Sequence, residues 1–483
     1  MHIVIIALAA ALLAVLSIIL LRTLAFRTAR PLQEAPFEDE TDMAGAARNL
    51  SEALKIRTVS CEDYEKTDFS QFAQFLKYLE ATYPNVYAAL EHETVNSYSM
   101  LYRWKGSDPG RKPVLLMAHY DVVPVEESSE ANWVYPPFSG EIKNGMVWGR
   151  GALDVKCQVT GILEAIEALL AKGYVPKSDI YVAFGHDEEV DGQQGARNIA
   201  ALLEKRGLQF EFILDEGSCI AEGFMQGISR PLALVAVCEK GYADVKLTSG
   251  SKGGHSSMPL PDTALGIVCE GVARLQKHQL PRRVTPPVRW FLNAVGPEMA
   301  LPYRIIPANL WLFKHPLMKS MSSLPSGNAM LRTTTAATMA GGSPQSNVLP
   351  QKAWAVLNFR LLNGETKEGL LRHIHQVLRG LDIKVEIIRY NSPSAISSKE
   401  SGAFKTIERS IHQVFPDALP APYIMLGGSD SIKYESVCSN IFRFSPYRLK
   451  TSDMNKIHGN NECISIESMA GVVSFYRQLI RNL

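Results

Sequence analysis

Apolar and polar positions along the chain fall into three regimes. The first is continuous: Ile3 to Leu21 reads IVIIALAAALLAVLSIILL, nineteen residues whose only polar member is Ser17. At 1.5 Å per residue this is about 30 Å of helix, enough to cross a bilayer core. The second regime runs from about residue 50 to 237, where short runs apolar on both faces alternate with segments of helical period. KPVLLMAHYD, DVKCQVTGILEAIEALLAKG, DIYVAFGHDEE, QQGARNIAALLEKRG and FEFILDEGS follow one another in β-α-β-α-β order. That order predicts a mainly parallel sheet covered by helices, an α/β fold. In the third regime, from Cys238, GYADVKLTSGS and KAWAVLNFRLL alternate like half-exposed strands. DTALGIVCEGVARLQKH and TKEGLLRHIHQVLRGL have helical spacing, and IKVEIIRY is a further strand. This is the signature of an inserted α+β module of ferredoxin-like type.

The patterning divides the chain into a membrane anchor or signal segment (1–30), a first part of the main domain (31–237), an inserted module (238–392) and a returning second part (393–483). Residues 31 to about 50 read as a polar tether. Between the halves of the inserted module, 280–340 reads as apolar and loop-rich. Within it, RWFLNAVGPEMALPYRIIPANLWLF (289–313) is too apolar for a free surface loop. Packing on the module or at a subunit contact is one expectation; lining a channel for an acyl chain, with Trp290 and Trp311 as walls, is the other.

Composition narrows the function classes. Fifty basic residues against forty-nine acidic, with no basic run interleaved with aromatics, argue against a nucleic-acid partner. The seven cysteines are odd in number and contain no CxxC pair, giving neither a disulfide framework nor a thiolate metal site. Any metal here must be held by His, Asp and Glu.

Such residues end the predicted strands: His119 and Asp121 in MAHYDVVPV, Glu188 and Glu189 in GHDEE, and Asp215 in ILDEG. In open α/β sheets the carboxyl ends of the strands form sites, so three distant clusters share one rim. With Asp154 in GRGALDVK and His458 in NKIHGNNE, the candidate ligands are His119, Asp154, Glu189, Asp215 and His458, two imidazoles and three carboxylates. A pair of Zn²⁺ ions suits these donors, and Co²⁺ or Mn²⁺ would use the same ones. Without cations, converging carboxylates would repel and protonate. Asp121, two residues from His119, can orient its imidazole. Glu188 and Glu189 point opposite ways in extended chain, so one can bind metal while the other serves as general base. Spacing alone does not choose between them.

MAHYDVVPV, WVYPPFSGEIKNGMVWGRGALDVK, GHDEEVDGQQGA, GGHSSMP, SNVLP and NKIHG occur in this order. Together they resemble the aminoacylase/carboxypeptidase family of di-zinc metallopeptidases, closest to its carboxypeptidase S and N-fatty-acyl-amino-acid synthase/hydrolase branch. The resemblance covers the chain from about residue 45 onward. It implies that Asp154 bridges two zinc ions, with Glu189 and His458 on one and His119 and Asp215 on the other. It implies Glu188 as the base and Asp121 as the orienting residue. It makes the inserted module a lid whose His255 stabilises the oxyanion. Asn347, Arg360 and the loop Gly427, Gly428, Ser429 are implied to hold a substrate with a free carboxylate.

The expected function is hydrolysis, with condensation as its reverse, of N-acyl amino acids including N-fatty-acyl ones. A peptide carboxypeptidase or dipeptidase is the alternative within the class. A catalytically silent carrier of lipidated amino acids is the rival from another class, and the complete donor set counts against it. Relatives of this kind dimerise through the lid, so a homodimer is expected, and His255 can then act in the neighbouring subunit. The membrane is the remaining partner, through a single N-terminal span. Arg22, Arg27 and Arg30 after the span favour a cytoplasmic position for the chain beyond it. The resemblance implies an extracytoplasmic catalytic domain, secreted if the segment is cleaved, and export is the expectation adopted.

Overall fold

The computed structural model describes residues 1–27, 37 and 40–483; Arg30 and most of the first half of the expected tether lie outside the described residues. From Met43 the expected tether is already a helix, Met43–Lys55, capped by Asp42, whose side chain accepts from the Gly45 N–H. Its Ala46, Ala47, Leu50, Ala53 and Leu54 are buried in the main core. Small alanines carry half of that face, which is why the segment reads as polar. Asn49 within it donates to Glu164 and Ser51 is buried.

Among the described residues the main sheet has ten strands. At its centre Val114–His119 runs parallel to Ile180–Gly185 on one side and to Phe212–Asp215 on the other. Phe212–Asp215 is in turn parallel to Ile441–Arg443, which brings the last third of the chain back into the sheet. Toward one edge, Ser99–Trp104 is antiparallel to Ile180–Gly185, and Glu91–Val95 is antiparallel to Ser99–Trp104. Leu232–Glu239 pairs antiparallel with Ile220–Glu222 and parallel with Leu419–Met425. The sheet is thus mixed, with five of its nine strand pairings parallel, Arg448–Lys450 beside Ile220–Glu222 among them. The β-α-β-α-β reading holds for its centre, where every residue of Val114–His119 and Ile180–Gly185 is buried. Helix Lys156–Ala171 packs on Val114–His119, and the C-terminal helix Ile466–Asn482 packs on that helix. Gly161 permits their close approach: a Cβ there would lie 2.5 Å from Val472 Cγ1.

A second sheet, in the order Thr334–Gly341, Lys352–Leu361, Gly241–Gly250, Lys384–Asn391, is antiparallel throughout. With helices Ala264–Lys277 and Lys367–Val377 it makes a β-α-β-β-α-β ferredoxin-like unit. Val245, Leu247, Phe359, Leu370 and Ile374 belong to its own core. The sequence reading missed Thr334–Gly341, an edge strand of threonine and alanine with little apolar alternation to reveal it.

The stretch expected to be loop-rich is helical: Pro286–Val295, Leu301–Ala308, Leu310–Met321 and Pro325–Leu331. Its prolines mislead because three of these helices carry Pro at N1 or N2, where the missing N–H costs nothing. Pro286–Val295 packs on the strand Leu419–Met425, with Phe291, Tyr423 and Phe224 in edge-to-face contact. The apolar N-terminus forms one helix, His2–Ala25, with mean hydropathy 3.2 in its most apolar window and none of that window buried in the protein. It is long and apolar enough to cross a membrane, and a signal sequence would have the same length and composition.

Candidate metal centre

Three adjacent central strands deliver the first donors. His119 ends Val114–His119, Glu188 and Glu189 open the 3₁₀ turn after Ile180–Gly185, and Asp215 and Glu216 follow at the end of Phe212–Asp215. Asp154 sits in the turn before helix Lys156–Ala171, and His458 in the loop before Cys463–Ser465, with φ of 58°. Asp154 lies between the two imidazoles: His119 Nε2 is 3.1 Å from its Oδ1, and His458 Nε2 is 3.0 Å from its Oδ2. His458 Nε2 also lies 3.2 Å from Glu189 Oε1.

Two groups of donors converge and share Asp154. One is Asp154, Glu189 and His458; the other is His119, Asp154 and Glu216. The second contains Glu216 where the sequence led us to expect Asp215. The Asp215 carboxylate accepts the N–H of Glu216 at 2.8 Å and of Ser431 at 2.9 Å, while Glu216 Oε1 stands 3.8 Å from His119 Nε2. Neighbours at a strand end face opposite sides, so the DE pair in ILDEG could be resolved only in three dimensions. Glu216 is a candidate donor to which the sequence reading gave no role.

The electrostatics describe a site built for cations. Burial, then repulsion from Asp154, raises the Glu189 carboxyl to about 7. Burial also raises Glu188 and Glu216 well above the usual carboxylate range. His458 is raised to about 10 by hydrogen bonds to Asp154 and Glu189. Burial opposes charge on His119, but Asp121 and Asp154 together raise its pKa well above the ordinary value. The polypeptide alone balances with protons what divalent ions would balance directly. An acid-and-imidazole set with a shared carboxylate at its centre fits a pair of such ions.

The surroundings hold these donors in place. Asp121 Oδ1 lies 3.3 Å from His119 Nδ1 and accepts the Glu188 N–H, while its Oδ2 accepts the Glu189 N–H and the Ser60 hydroxyl. One buried carboxylate therefore orients the imidazole and fixes the 188–189 turn. Glu462, quoted in the sequence motif but given no role there, does the same for the other half. Its Oε1 accepts the N–H groups of Gly151, Leu153 and Asp154, and its Oε2 accepts from Arg150 at 2.6 Å. Arg150 also donates to the His458 carbonyl. Burial pushes the Glu462 carboxyl up, against the pull of Arg150 and the Leu153 N–H. His186, beside the glutamates, pairs with Ser99 Oγ at 2.6 Å.

A cleft of about 800 Å³ opens over the donors and is lined by Asp154, Glu188, Glu189, Glu216 and His458. Arg360, Gly427, Gly428 and Ser429 line it too. The guanidinium groups of Arg360 and Arg389 both lie over the Tyr242 ring, 4.8 and 5.1 Å from its centroid. Arg389 also reaches Asp191 at 3.2 Å, tying the ferredoxin-like unit to the main domain. His255 and Asn347 are elsewhere: they line a separate depression of about 460 Å³ that shares no residue with the cleft. His255 is exposed and bonded to Ser257. Neither Trp290 nor Trp311 lines the cleft.

Residues 115–482 match the family model of peptidases M20/M25/M40. The chain belongs to this family. It is 38% identical to the N-fatty-acyl-amino acid synthase/hydrolase of Xenopus tropicalis over 437 residues, 90% of this chain and 85% of that protein. It is 36% identical to a probable carboxypeptidase S-like protein of Dictyostelium discoideum over 482 residues, 98% of this chain and 92% of that protein. Carboxypeptidase S of Saccharomyces cerevisiae is 27% identical, across 90% of this chain and 83% of its own. In fold it is similar to an M20 metallo-carboxypeptidase of Sulfolobus solfataricus, at 17% identity and a TM-score of 0.67, across 90% of this chain and 98% of that one. As a member of the family, the chain is a metallohydrolase of amide or peptide bonds.

Proposed function

We propose that the chain is a two-zinc amidohydrolase of N-acyl amino acids, fatty-acylated ones included, tethered by its N-terminal helix. One observation carries the reading: the Asp154 carboxylate is shared by two donor groups at the floor of a cleft whose walls bear arginine. Asp154, Glu189 and His458 would hold one ion, and His119, Asp154 and Glu216 the other. When bound, the ions polarise the scissile carbonyl and acidify the attacking water.

The rest falls to the chain's own groups. Glu188 faces the cleft beside the donors, where its carboxylate can take a proton from water and pass it to the leaving nitrogen. Arg360 supplies a guanidinium, and the Gly427–Ser429 loop supplies N–H groups, for a free α-carboxylate. His255 lies outside this cleft, which supports an oxyanion role in the site of a second copy. The edge strand Thr334–Gly341, exposed along most of its length, is the element such a dimer would pair. Export of the catalytic domain remains part of this reading.

Turnover of N-oleoyl-phenylalanine, N-acetyl-phenylalanine and a blocked dipeptide tests the substrate class. Preference for the oleoyl amide supports the reading; turnover of the dipeptide alone would replace it with a carboxypeptidase. Glu188→Gln should abolish turnover while leaving the metal content unchanged.

A further inference from the structure

The helices between Pro286 and Leu331 take no part in the cleft, yet they meet the N-terminal helix. Asn309, fully buried, donates through Nδ2 to the Ile19 carbonyl at 3.3 Å and to Thr23 Oγ1 at 3.1 Å. Arg22 Nε donates to the Ala308 carbonyl, and the Phe26 ring is seated where a Cβ on Gly296 would fall. On His2–Ala25 only Val15, Ile19 and Thr23 are shielded, a seam spaced every four residues that faces the insert. Ile19 and Val15 belong to the apolar window that ends at Leu21. Val15 is six residues before Leu21, so the shielded seam reaches about 9 Å into that window at 1.5 Å per residue.

If the window lies in hydrocarbon, whatever shields it lies at the same depth. The insert is dressed accordingly. Leu301, Tyr303, Trp311 and Leu312, flanking the Asn309 junction, are 52%, 47%, 55% and 43% exposed. Between Pro286 and Leu331 the only acidic residue is Glu298, already paired with Arg230, against the basic Arg289, Arg304, Lys314 and Lys319. Aromatic and aliphatic side chains beside lysines, on short helices lying against a span, are the chemistry of a segment resting in the headgroup and upper acyl region.

We propose that the insert is a membrane-seated collar: the face bearing Leu301, Tyr303, Trp311 and Leu312 enters the leaflet through which His2–Ala25 leaves the bilayer. The proposal rests on the tether reading of that helix. It fixes the catalytic domain against the surface, on the leaflet where amphiphilic N-acyl amino acids partition, rather than leaving it to swing on a linker. The insert packs on Leu419–Met425, and Met425 lines the cleft, so the seated face and the site share one rigid strand.

Site-directed spin labelling of the full chain tests this, with Cys61 and Cys269 replaced by serine. Nitroxides are placed singly at Leu312→Cys, Leu8→Cys and Lys384→Cys, and each protein is reconstituted in phosphatidylcholine/phosphatidylglycerol vesicles. Collision rates with oxygen and with a neutral nickel chelate are then compared. The expected result is an oxygen-to-nickel ratio at Leu312 several-fold above that at Lys384 and of the same sense as at Leu8. A lipid-type ratio at Leu8 with a water-type ratio at Leu312 overturns the collar and leaves the tether standing. Water-type ratios at both overturn the tether and the collar with it. Shielding of Leu312 from both reagents with dipolar broadening would identify a second copy as the occupant, and overturns the proposal.

Discussion

Removing the Glu462 carboxylate should unfasten both halves of the metal centre at once. The side chain is fully buried and its two oxygens divide their work: Oε2 faces Arg150, itself 3% exposed, and Oε1 gathers three backbone N–H groups from residues 151–154. Glu462→Ala leaves the guanidinium buried without its partner, at a cost of about 3–5 kcal/mol. Glu462→Gln keeps an oxygen for the three N–H groups but turns an amide donor toward Arg150, so its cost is one charge-assisted bond, about 1.5–3 kcal/mol. Arg150→Met combined with Glu462→Ala removes both charges and should recover much of the loss. Urea unfolding of the metal-loaded proteins, followed by circular dichroism, checks the order. With a slope of about 3 kcal/mol per molar urea, the alanine midpoint should fall by about 1 M or more and the glutamine midpoint by about half that. Because Glu462 holds the Asp154 turn, and Arg150 holds the His458 carbonyl, metal affinity should fall about 10- to 100-fold in the alanine protein. An alanine variant that unfolds with the wild type and keeps its metal would refute the reasoning. Equal midpoints for alanine and glutamine would assign the whole effect to Arg150.

The donor assignment predicts that Glu216→Gln lowers bound metal from two ions toward one by elemental analysis, while Asp215→Asn keeps both ions; the reverse pattern restores the assignment first expected. Metal affinity should climb as pH rises through about 7. Glu189, raised to about 7 by burial and Asp154, and His458, raised to about 10 by its bonds to Asp154 and Glu189, must both give up protons to bind, so calorimetry in buffers of different ionisation enthalpy should register proton release that falls above pH 7 and persists to about pH 10. Arg360→Ala should raise KM for carboxylate substrates by about tenfold or more with a smaller change in kcat, a pattern of lost ground-state binding. Finally, Glu188→Gln and His255→Ala proteins, each inactive, should regain activity when co-expressed if His255 serves the opposite copy. No recovery would place His255 in its own subunit's site after a closing motion.

Much of the site was legible because its donors end strands whose burial is written in the sequence. His119 closes six buried residues and Glu188 comes after six more, and neighbouring parallel strands put such ends together whatever the intervening chain does. What stayed hidden turns on which way a side chain points. Asp215 and Glu216 are adjacent and equally acidic, and nothing in their order says that the Asp215 carboxylate meets the N–H groups of Glu216 and Ser431 while Glu216 nears His119. Glu462 was hidden for another reason: its partners are backbone N–H groups more than 300 positions away, and such groups leave no mark in a sequence. The proline-rich helices were misread because proline at a first turn and proline in a loop look alike without the geometry around them.

Glu462, which completes the setting of Asp154, stands 308 positions after it. A nascent chain therefore has no working cation cradle until residues through Glu462 have left the ribosome. For a polypeptide threaded unfolded across a membrane, loading with metal must then come after translocation, drawing on the ion pool of the destination compartment rather than that of the ribosome.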